Sequence, residues 1–214
     1  EIRLSLVGSE MCIRDRYGEV MRVIFLDIDG ELTYAGYSNE ETHNIDSEKV
    51  ALLKEIVDAT DAKIVLSSSW KYGYDKITGE KRSFYRTLEN ILSAMGLSIY
   101  DITEDIPGIM KKEKEHPWQE DKPISLGEYE KIHFQYGTGR AAEVKKWIDN
   151  HTVESLVILD DEDHGWEDYG LADYWIQPSW YDENGGLHRE HVTKAIQILK
   201  TNQLIAKEED IERE

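Results

Sequence analysis

Acidic and hydroxyl side chains follow three apolar runs of this sequence, at the point where each run ends. Asp27 and Asp29 follow the first run, Ser67-Ser68 the second and Asp160-Asp161 the third. Two aspartates that stand two positions apart at the end of an extended strand project to the same side. Gly30 then lets the chain turn away at once. If the three runs end at one edge of a sheet, these groups form a single oxygen-rich pocket.

Such a pocket suits Mg²⁺, which prefers a few carboxylates together with waters and phosphate oxygens. Asp27 and Asp29 would supply two carboxylates, and the Asp160-Asp161 pair would supply a third. Without a cation, unpaired carboxylates in a partly buried cluster are costly. A serine hydroxyl opposite them is able to donate to a phosphoryl oxygen, and a basic residue from the next helix would neutralise developing charge. The residue types therefore indicate metal-assisted chemistry on a phosphate group.

The three apolar runs read as strands that are buried on both faces, and amphipathic helices separate them. Strands that alternate with helices of this length predict βαβ units, a mainly parallel sheet and helices on both faces. In such sheets the ligand site lies beyond the carboxyl ends of the strands. The predicted strands are 22–26, 63–66, 97–102, 156–159 and 172–176. The predicted helices are one that Asp46 or Ser47 caps and that ends at 58, then 84–95, 141–148 and 189–200.

Several strings resemble motifs of the haloacid dehalogenase (HAD) superfamily. VIFLDIDGEL at 23–32 is similar to the first motif, hhhhDxDGxL, in which h is an apolar residue. KIVLSS at 63–68 is similar to the second motif, and VILDD at 157–161 is similar to the fourth. The SSSW string that ends at Trp70 and the stretch that begins at Gly186 also resemble a capless branch, the HAD domain of Swiss Army Knife RNA repair proteins.

The resemblance implies a three-layer α/β/α Rossmann-like HAD fold and a role for each acidic residue. Asp27 would be the nucleophile that forms an aspartyl-phosphate. Asp29 would protonate the leaving group and then activate the hydrolytic water. Mg²⁺ would be held by Asp27, by the backbone carbonyl of Asp29 and by one aspartate of the 160–161 pair. Asp161 is the favoured ligand, with Asp160 as its close support.

The resemblance also implies groups that bind the phosphoryl oxygens. Ser68 would bind the phosphoryl group, or Ser67 if the register differs by one residue. The third motif, a Lys or Arg that reaches the phosphoryl group, departs from the family pattern here. Arg140, Lys145 and Lys146 are the candidates. Arg140 is favoured because it follows a glycine-containing turn at the expected start of a helix, on the side where the strand ends gather.

Composition and charge exclude several classes of protein. The 214 residues are 40% hydrophobic and 10% aromatic, which is enough to bury a core. No apolar run approaches the ~18 residues of a membrane-spanning helix. The formal net charge of −19 disfavours broad binding to a nucleic-acid backbone or an anionic membrane. The single cysteine excludes an intrachain disulfide and a cysteine zinc cluster.

The chain is expected to form one domain between two terminal segments. Residues 1–20 resemble the translated read-through of a sequencing adapter, so Met21 is the expected natural start. Residues 21–202 would form a single HAD-like domain with an exposed, charged and proline-containing insertion at 103–139. Residues 203–214 would form a charged tail. The first two strands are too close in sequence for a large cap between them, so the insertion is the candidate for a small lid.

The expected function is a cytoplasmic, Mg²⁺-dependent phosphomonoesterase. As the resemblance implies, capless members tend to accept bulky substrates, so the phosphorylated substrate is a nucleotide, a nucleic-acid end or another phosphomonoester. One alternative is a catalytically silent binding module of the same fold. A receiver-like signalling domain is less favoured, because its phosphoacceptor lies mid-chain, whereas here Asp-x-Asp comes first and Asp-Asp comes late.

Overall fold

The computed structural model describes residues 20–106, 135–181 and 184–201. The leader expected at 1–20 lies outside the described residues except for Val20. So do the central part of the expected insertion, 107–134, and the tail expected at 203–214.

The described residues contain a five-stranded sheet in which every neighbouring pair is parallel. The strand order is β3-β2-β1-β4-β5. The strands are β1 Met21–Leu26, β2 Lys63–Leu66, β3 Ile99–Ile102, β4 Val153–Leu159 and β5 Trp175–Ile176. In the central three strands Phe25 lies beside Val65 on one side and Ile158 on the other. The two strands that precede the candidate aspartates are therefore adjacent.

Helices cover both faces of this sheet, because the apolar residues of β1 alternate between two cores. Ile24 and Leu26 belong to one core, and Val23 and Phe25 to the other. The first core is covered by α1 Ser47–Thr60, α2 Ser83–Ala94 and α4 Arg189–Lys200, and the second by α3 Arg140–Asp149. The predicted three-layer α/β/α arrangement is confirmed. In the described part of the chain, every helix falls short of the length and apolar character that a bilayer crossing requires.

The order in which the chain adds strands to the sheet reverses between β1 and β4. From β1 the chain runs outward through β2 to β3, and it then returns to the other side of β1 as β4. Such a switch point opens a crevice at the carboxyl ends of the two strands that flank it. The backbone N–H of Asp27 donates to the Leu159 carbonyl (2.9 Å), and that of Ser67 donates to the Leu26 carbonyl (2.9 Å). These bonds hold the ends of β1, β2 and β4 side by side.

The starts of four strands differ from those the sequence predicts. β1 begins at Met21 rather than at 22, and β3 begins at Ile99 rather than at 97. β4 begins at Val153 rather than 156, because its polar residues have partners: Glu154 pairs with Arg22, and the Ser155 hydroxyl donates to the Leu199 carbonyl (2.7 Å). The last strand, expected at 172–176, is reduced to Trp175–Ile176. Ala172–Tyr174 instead forms a turn of 3-10 helix.

Candidate active site

The carboxylate of Asp27 lies directly after β1, at the switch point between β1 and β4. Only 5% of the residue is exposed. Its Oδ1 accepts the backbone N–H of Ile28 (2.8 Å), and its Oδ2 accepts Nη1 of Arg140 (2.5 Å). Burial raises the pKa of Asp27 to about 6, although Arg140 opposes this shift. The side chain is therefore oriented from both sides and carries a charge that burial disfavours.

Asp160 and Asp161, at the end of β4, complete a cluster with Asp27. One carboxylate oxygen from each of the three residues lies within 4.8 Å of the others. Asp160 is 1% exposed, and its Oδ2 accepts Nη1 of Arg140 (2.6 Å). Burial and the neighbouring Asp160 raise the pKa of Asp161 to about 6. His164, which the sequence did not indicate, places Nε2 3.3 Å from Oδ1 of Asp160.

The close approach of the turn after β1 to Asp161 depends on Gly30. Its φ is +95°, a left-handed backbone conformation that residues with a Cβ atom rarely adopt. A Cβ at this position would lie 2.3 Å from Cγ of Asp161, which is closer than real Cβ contacts allow. The glycine therefore makes room for one of the acidic residues of the cluster.

The side chain of Asp29 has different neighbours from those of Asp27. Its Oδ1 accepts the Thr33 hydroxyl (2.9 Å), and its Oδ2 accepts the indole Nε1 of Trp70 (3.0 Å). β1 has ended by this point, and the chain turns, with the N–H of Leu32 donating to the Ile28 carbonyl (2.9 Å). The strand alternation that placed both aspartates on one side thus ceases before Asp29, and its carboxylate stands outside the three-oxygen cluster.

Arg140 is the basic residue that reaches the acidic cluster. It is the first residue of α3, and its Nη1 bridges Asp27 and Asp160. Lys145 pairs with Asp149 (2.6 Å), one turn further along the same helix. Lys146 pairs with Glu104 (3.3 Å). Of the three candidates for the third motif, the geometry thus brings Arg140 to the site and directs both lysines to other carboxylates.

A buried ionic network, which the sequence did not indicate, fixes the position of α3. Nζ of Lys71 lies 2.6 Å from Oε2 of Glu143 and 2.7 Å from Oδ1 of Asp105. Lys71 is 7% exposed, and burial raises the pKa of Glu143 even though Lys71 opposes this shift. The network links the loop after β2 to the first turn of α3. It thereby holds the helix that presents Arg140.

A second contact holds the chain just before α3. The hydroxyl of Tyr169 donates to the carbonyl of Tyr136 (2.7 Å). Gly137 follows with a φ of +75°, and a Cβ there would lie 2.9 Å from the same hydroxyl oxygen. The turn that leads into Arg140 is therefore packed directly against the segment after β4.

The two candidate serines face different partners. The hydroxyl oxygen of Ser68 accepts the backbone N–H of Trp70 (3.3 Å), and a hydrogen bond from Ser68 lowers the pKa of Asp27. Ser67 is buried, and its hydroxyl has no hydrogen-bond partner among the described residues. Both lie at the end of β2 beside the cluster, and the choice between them stays a prediction.

Glu31 is an acidic residue of the site that motif comparison did not single out. It is fully buried, and neither carboxylate oxygen has a hydrogen-bond partner within the described ranges. Burial, followed by the charges of Asp27, Asp160 and Asp161, raises its pKa well above the usual range. In the sequence Glu31 is the third acidic residue of the stretch DIDGE at 27–31, and nothing in that stretch signals its burial.

This donor set fits a hydrated Mg²⁺ ion. Mg²⁺ binds one or two carboxylates directly and keeps several waters. Asp27, Asp160 and Asp161 would supply the carboxylate oxygens, and a cation beside them would offset the cost of the buried Glu31 carboxyl group, which has no hydrogen-bond partner among the described residues. The backbone carbonyl of Asp29 remains the expected further ligand, and the choice between Asp160 and Asp161 stays open.

Comparison with known families identifies the chain. A family model described as "HAD domain in Swiss Army Knife RNA repair proteins" matches residues 23–192. The chain belongs to this HAD family. The matched region of the HAD domain runs from β1 into α4 and includes every candidate site residue named above. Comparison with curated proteins and with solved structures gave no match.

Substitution of Gly30 tests the close approach of the turn after β1 to Asp161. We expect Gly30→Ala to weaken Mg²⁺ binding at least about tenfold and to cost more than the ~1–2 kcal/mol of a left-handed backbone alone. Gly79→Ala is the matched control, because its φ is +75° and no described atom lies within 4 Å of the added Cβ. Calorimetric Mg²⁺ titration and urea unfolding measure the two effects. Equal behaviour of the two variants would contradict the steric role of Gly30.

The raised pKa values predict proton-linked metal binding. Since the pKa of Asp27 and that of Asp161 are raised from 3.8 to about 6, both groups must lose protons to bind a cation below that pH. We expect Mg²⁺ to raise the Tm more at about pH 8 than at about pH 5. Without metal, in EDTA, the trend with pH is the opposite. The folded state holds these protons more tightly than the unfolded state, so the free energy of unfolding falls as the pH rises from about 4 to about 6.

Differential scanning fluorimetry across this pH range measures both trends. An equal increase in Tm on adding Mg²⁺ at both ends of the range would contradict a metal site built on these two carboxylates.

Proposed function

We propose that the chain is a Mg²⁺-dependent phosphomonoesterase that acts through an aspartyl-phosphate on Asp27. The observation that carries this proposal is the environment of the Asp27 carboxylate. It lies within a three-carboxylate cluster, and its Oδ2 is 2.5 Å from the Arg140 guanidinium. Membership of the HAD family supports the same assignment.

In the first half of the reaction, a carboxylate oxygen of Asp27 attacks the phosphorus atom of the substrate. A new O–P bond forms while the bond between phosphorus and the leaving oxygen breaks. Asp29 gives its proton to that oxygen, so the product leaves as a neutral alcohol. Asp29 is then a carboxylate, and Asp27 carries the phosphoryl group.

In the second half, Asp29 accepts a proton from a water molecule as that water attacks phosphorus. The O–P bond to Asp27 breaks, and inorganic phosphate is released. Both aspartates return to their starting protonation states. The reaction therefore needs no oxidant, reductant or second substrate besides water.

The remaining groups bind the phosphoryl oxygens and balance charge. Arg140 would turn from the carboxylates of Asp27 and Asp160 toward the phosphoryl group, and Ser68 or Ser67 would donate to one of its oxygens. When bound by Asp27, by an aspartate of the 160–161 pair and by the Asp29 carbonyl, Mg²⁺ would neutralise negative charge at this point.

The proposed substrate is a phosphomonoester, with a nucleotide or a nucleic-acid end as the favoured form. The description of the matched family, which names RNA repair proteins, supports a nucleic-acid end. The net charge of −19 argues against extensive contact with the phosphate backbone, so recognition would be confined to the terminus. We propose the cytoplasm as the place of action.

Hydrolysis of p-nitrophenyl phosphate tests the nucleophile. We expect Mg²⁺-dependent turnover that EDTA abolishes and that Asp27→Asn lowers to background, because the amide cannot form the acyl phosphate. Asp58→Asn is the matched control, since this exposed carboxylate pairs with Lys54 on α1, away from the site.

The other outcomes separate the alternatives. Turnover that survives Asp27→Asn contradicts the nucleophile. A folded wild-type protein that binds Mg²⁺ and turns over neither this ester nor phosphorylated nucleotides and oligonucleotides favours the silent binding module.

Replacement of each basic candidate tests the third motif. We expect Arg140→Ala to lower kcat/KM by roughly 10²–10³-fold, the usual effect of removing one group that stabilises transition-state charge. Lys145→Ala and Lys146→Ala should change it less than about twofold, because each lysine forms a partly exposed ion pair. A larger loss for either lysine than for Arg140 would reverse the assignment.

A further inference from the structure

Trp70 contacts two groups of the proposed catalytic apparatus at once. It lies in the 3-10 helix Ser69–Gly73 that follows β2. Its backbone N–H donates to the hydroxyl oxygen of Ser68 (3.3 Å), and its indole Nε1 donates to Oδ2 of Asp29 (3.0 Å). One residue thus joins the end of β2 to the side chain that we assign as general acid.

The position of the Trp70 ring is fixed by packing on its other side. The ring of Phe84, in the first turn of α2, meets it edge to face at 5.5 Å and 89°. Gly73 lets Phe84 approach, since a Cβ there would lie 2.6 Å from Cε2 of Phe84. Packing of the Trp70 ring against Phe84 therefore keeps the indole N–H directed toward Asp29.

The two donors to Asp29 have different chemistry. The indole N–H is a donor only, whereas the Thr33 hydroxyl both donates and accepts. A carboxyl oxygen has two lone pairs, so Oδ2 keeps the Trp70 bond whether Asp29 is protonated or ionised. Trp70 therefore orients the carboxyl group throughout a cycle in which it loses and regains a proton, and it never competes for that proton.

We propose that Trp70 is a positioning residue for Asp29, which its indole N–H holds in the orientation that delivers a proton to the leaving group. This inference rests on the proposed phosphomonoesterase function. General acid catalysis matters most for leaving groups that are poor without a proton. The loss of kcat/KM on replacing Trp70 should therefore depend on the leaving group. A purely structural role would lower kcat/KM equally for every leaving group.

The test compares two aryl esters with the variant Trp70→Phe, which keeps a ring and removes the N–H. Nitrophenolate leaves readily without a proton, whereas phenolate, whose conjugate acid has a pKa of about 10, needs protonation more. We expect the variant to lose about tenfold more kcat/KM on phenyl phosphate than on p-nitrophenyl phosphate, a part of the roughly 10²–10⁴-fold that general acids contribute. Asp29→Ala should show the same pattern more strongly.

Trp147→Phe is the matched control. The Trp147 indole also donates to a carboxylate, Oδ2 of Asp101 (2.8 Å), and that bond does not involve Asp29. We expect this variant to leave the ratio of the two kcat/KM values at the wild-type value, whatever it does to the Tm. Equal losses of kcat/KM on both esters in Trp70→Phe, with turnover that still requires Asp27, would overturn the role of Trp70 and leave the proposed function in place.

A second measurement does not depend on turnover. In ¹H–¹⁵N spectra the indole signal that Trp70→Phe removes is that of Trp70. We expect Asp29→Ala to move this signal upfield and to leave the Trp147 signal in place. An unmoved Trp70 signal overturns the bond and with it the inference. Absence of wild-type turnover on both esters and on phosphorylated nucleotides and oligonucleotides overturns the proposed function, and the catalytic role of Trp70 falls with it.

Discussion

The concentration of negative charge at the ends of β1 and β4 is the constraint around which the molecule is arranged. Asp27 and Asp160 are almost fully buried directly after adjacent parallel strands, and Asp161 approaches the turn at Gly30. Buried carboxylates are stable only when cations or donors face them. Arg140 supplies one positive charge to two of them. One guanidinium against three carboxylates leaves an excess that a divalent cation would balance.

This arrangement depends on a helix that begins at the right place. Arg140 is the first residue of α3, and α3 covers the sheet face opposite to α1, α2 and α4. The buried Lys71 holds the first turn of α3 through Glu143. The apolar core thus determines which face of the sheet α3 covers. The ionic network fixes the first turn of α3 beside the carboxyl end of β2.

The sequence was sufficient to predict the residues that end strands, because parallel strands bring their carboxyl ends to one edge. Asp27, Asp160 and the serines after β2 were found in this way, and Arg140 followed from the expected start of a helix. Strand alternation was a poor guide to Asp29, since β1 ends at Leu26 and the backbone turns before that side chain.

Residues whose role depends on contacts distant in sequence were beyond the reach of local patterns. Glu31 gives no periodic signal, and its burial follows from the packing of the turn after β1. Lys71 resembles any surface lysine until α3 is placed against the loop after β2. The short β5 was overestimated for a related reason: its apolar and aromatic residues fit a strand, but Ala172–Tyr174 closes a 3-10 turn.

The contacts of Asp105 and Tyr136 bear on how this fold can change during evolution. Asp105 is held by Lys71, and the carbonyl of Tyr136 is held by Tyr169, so both boundaries of the intervening sequence are fastened to the body of the domain. Substitutions that preserve these two contacts therefore keep the start of α3, and with it Arg140, in place as related chains diverge. The evolutionary constraint on the site thus extends to residues that touch none of its carboxylates, such as Tyr169.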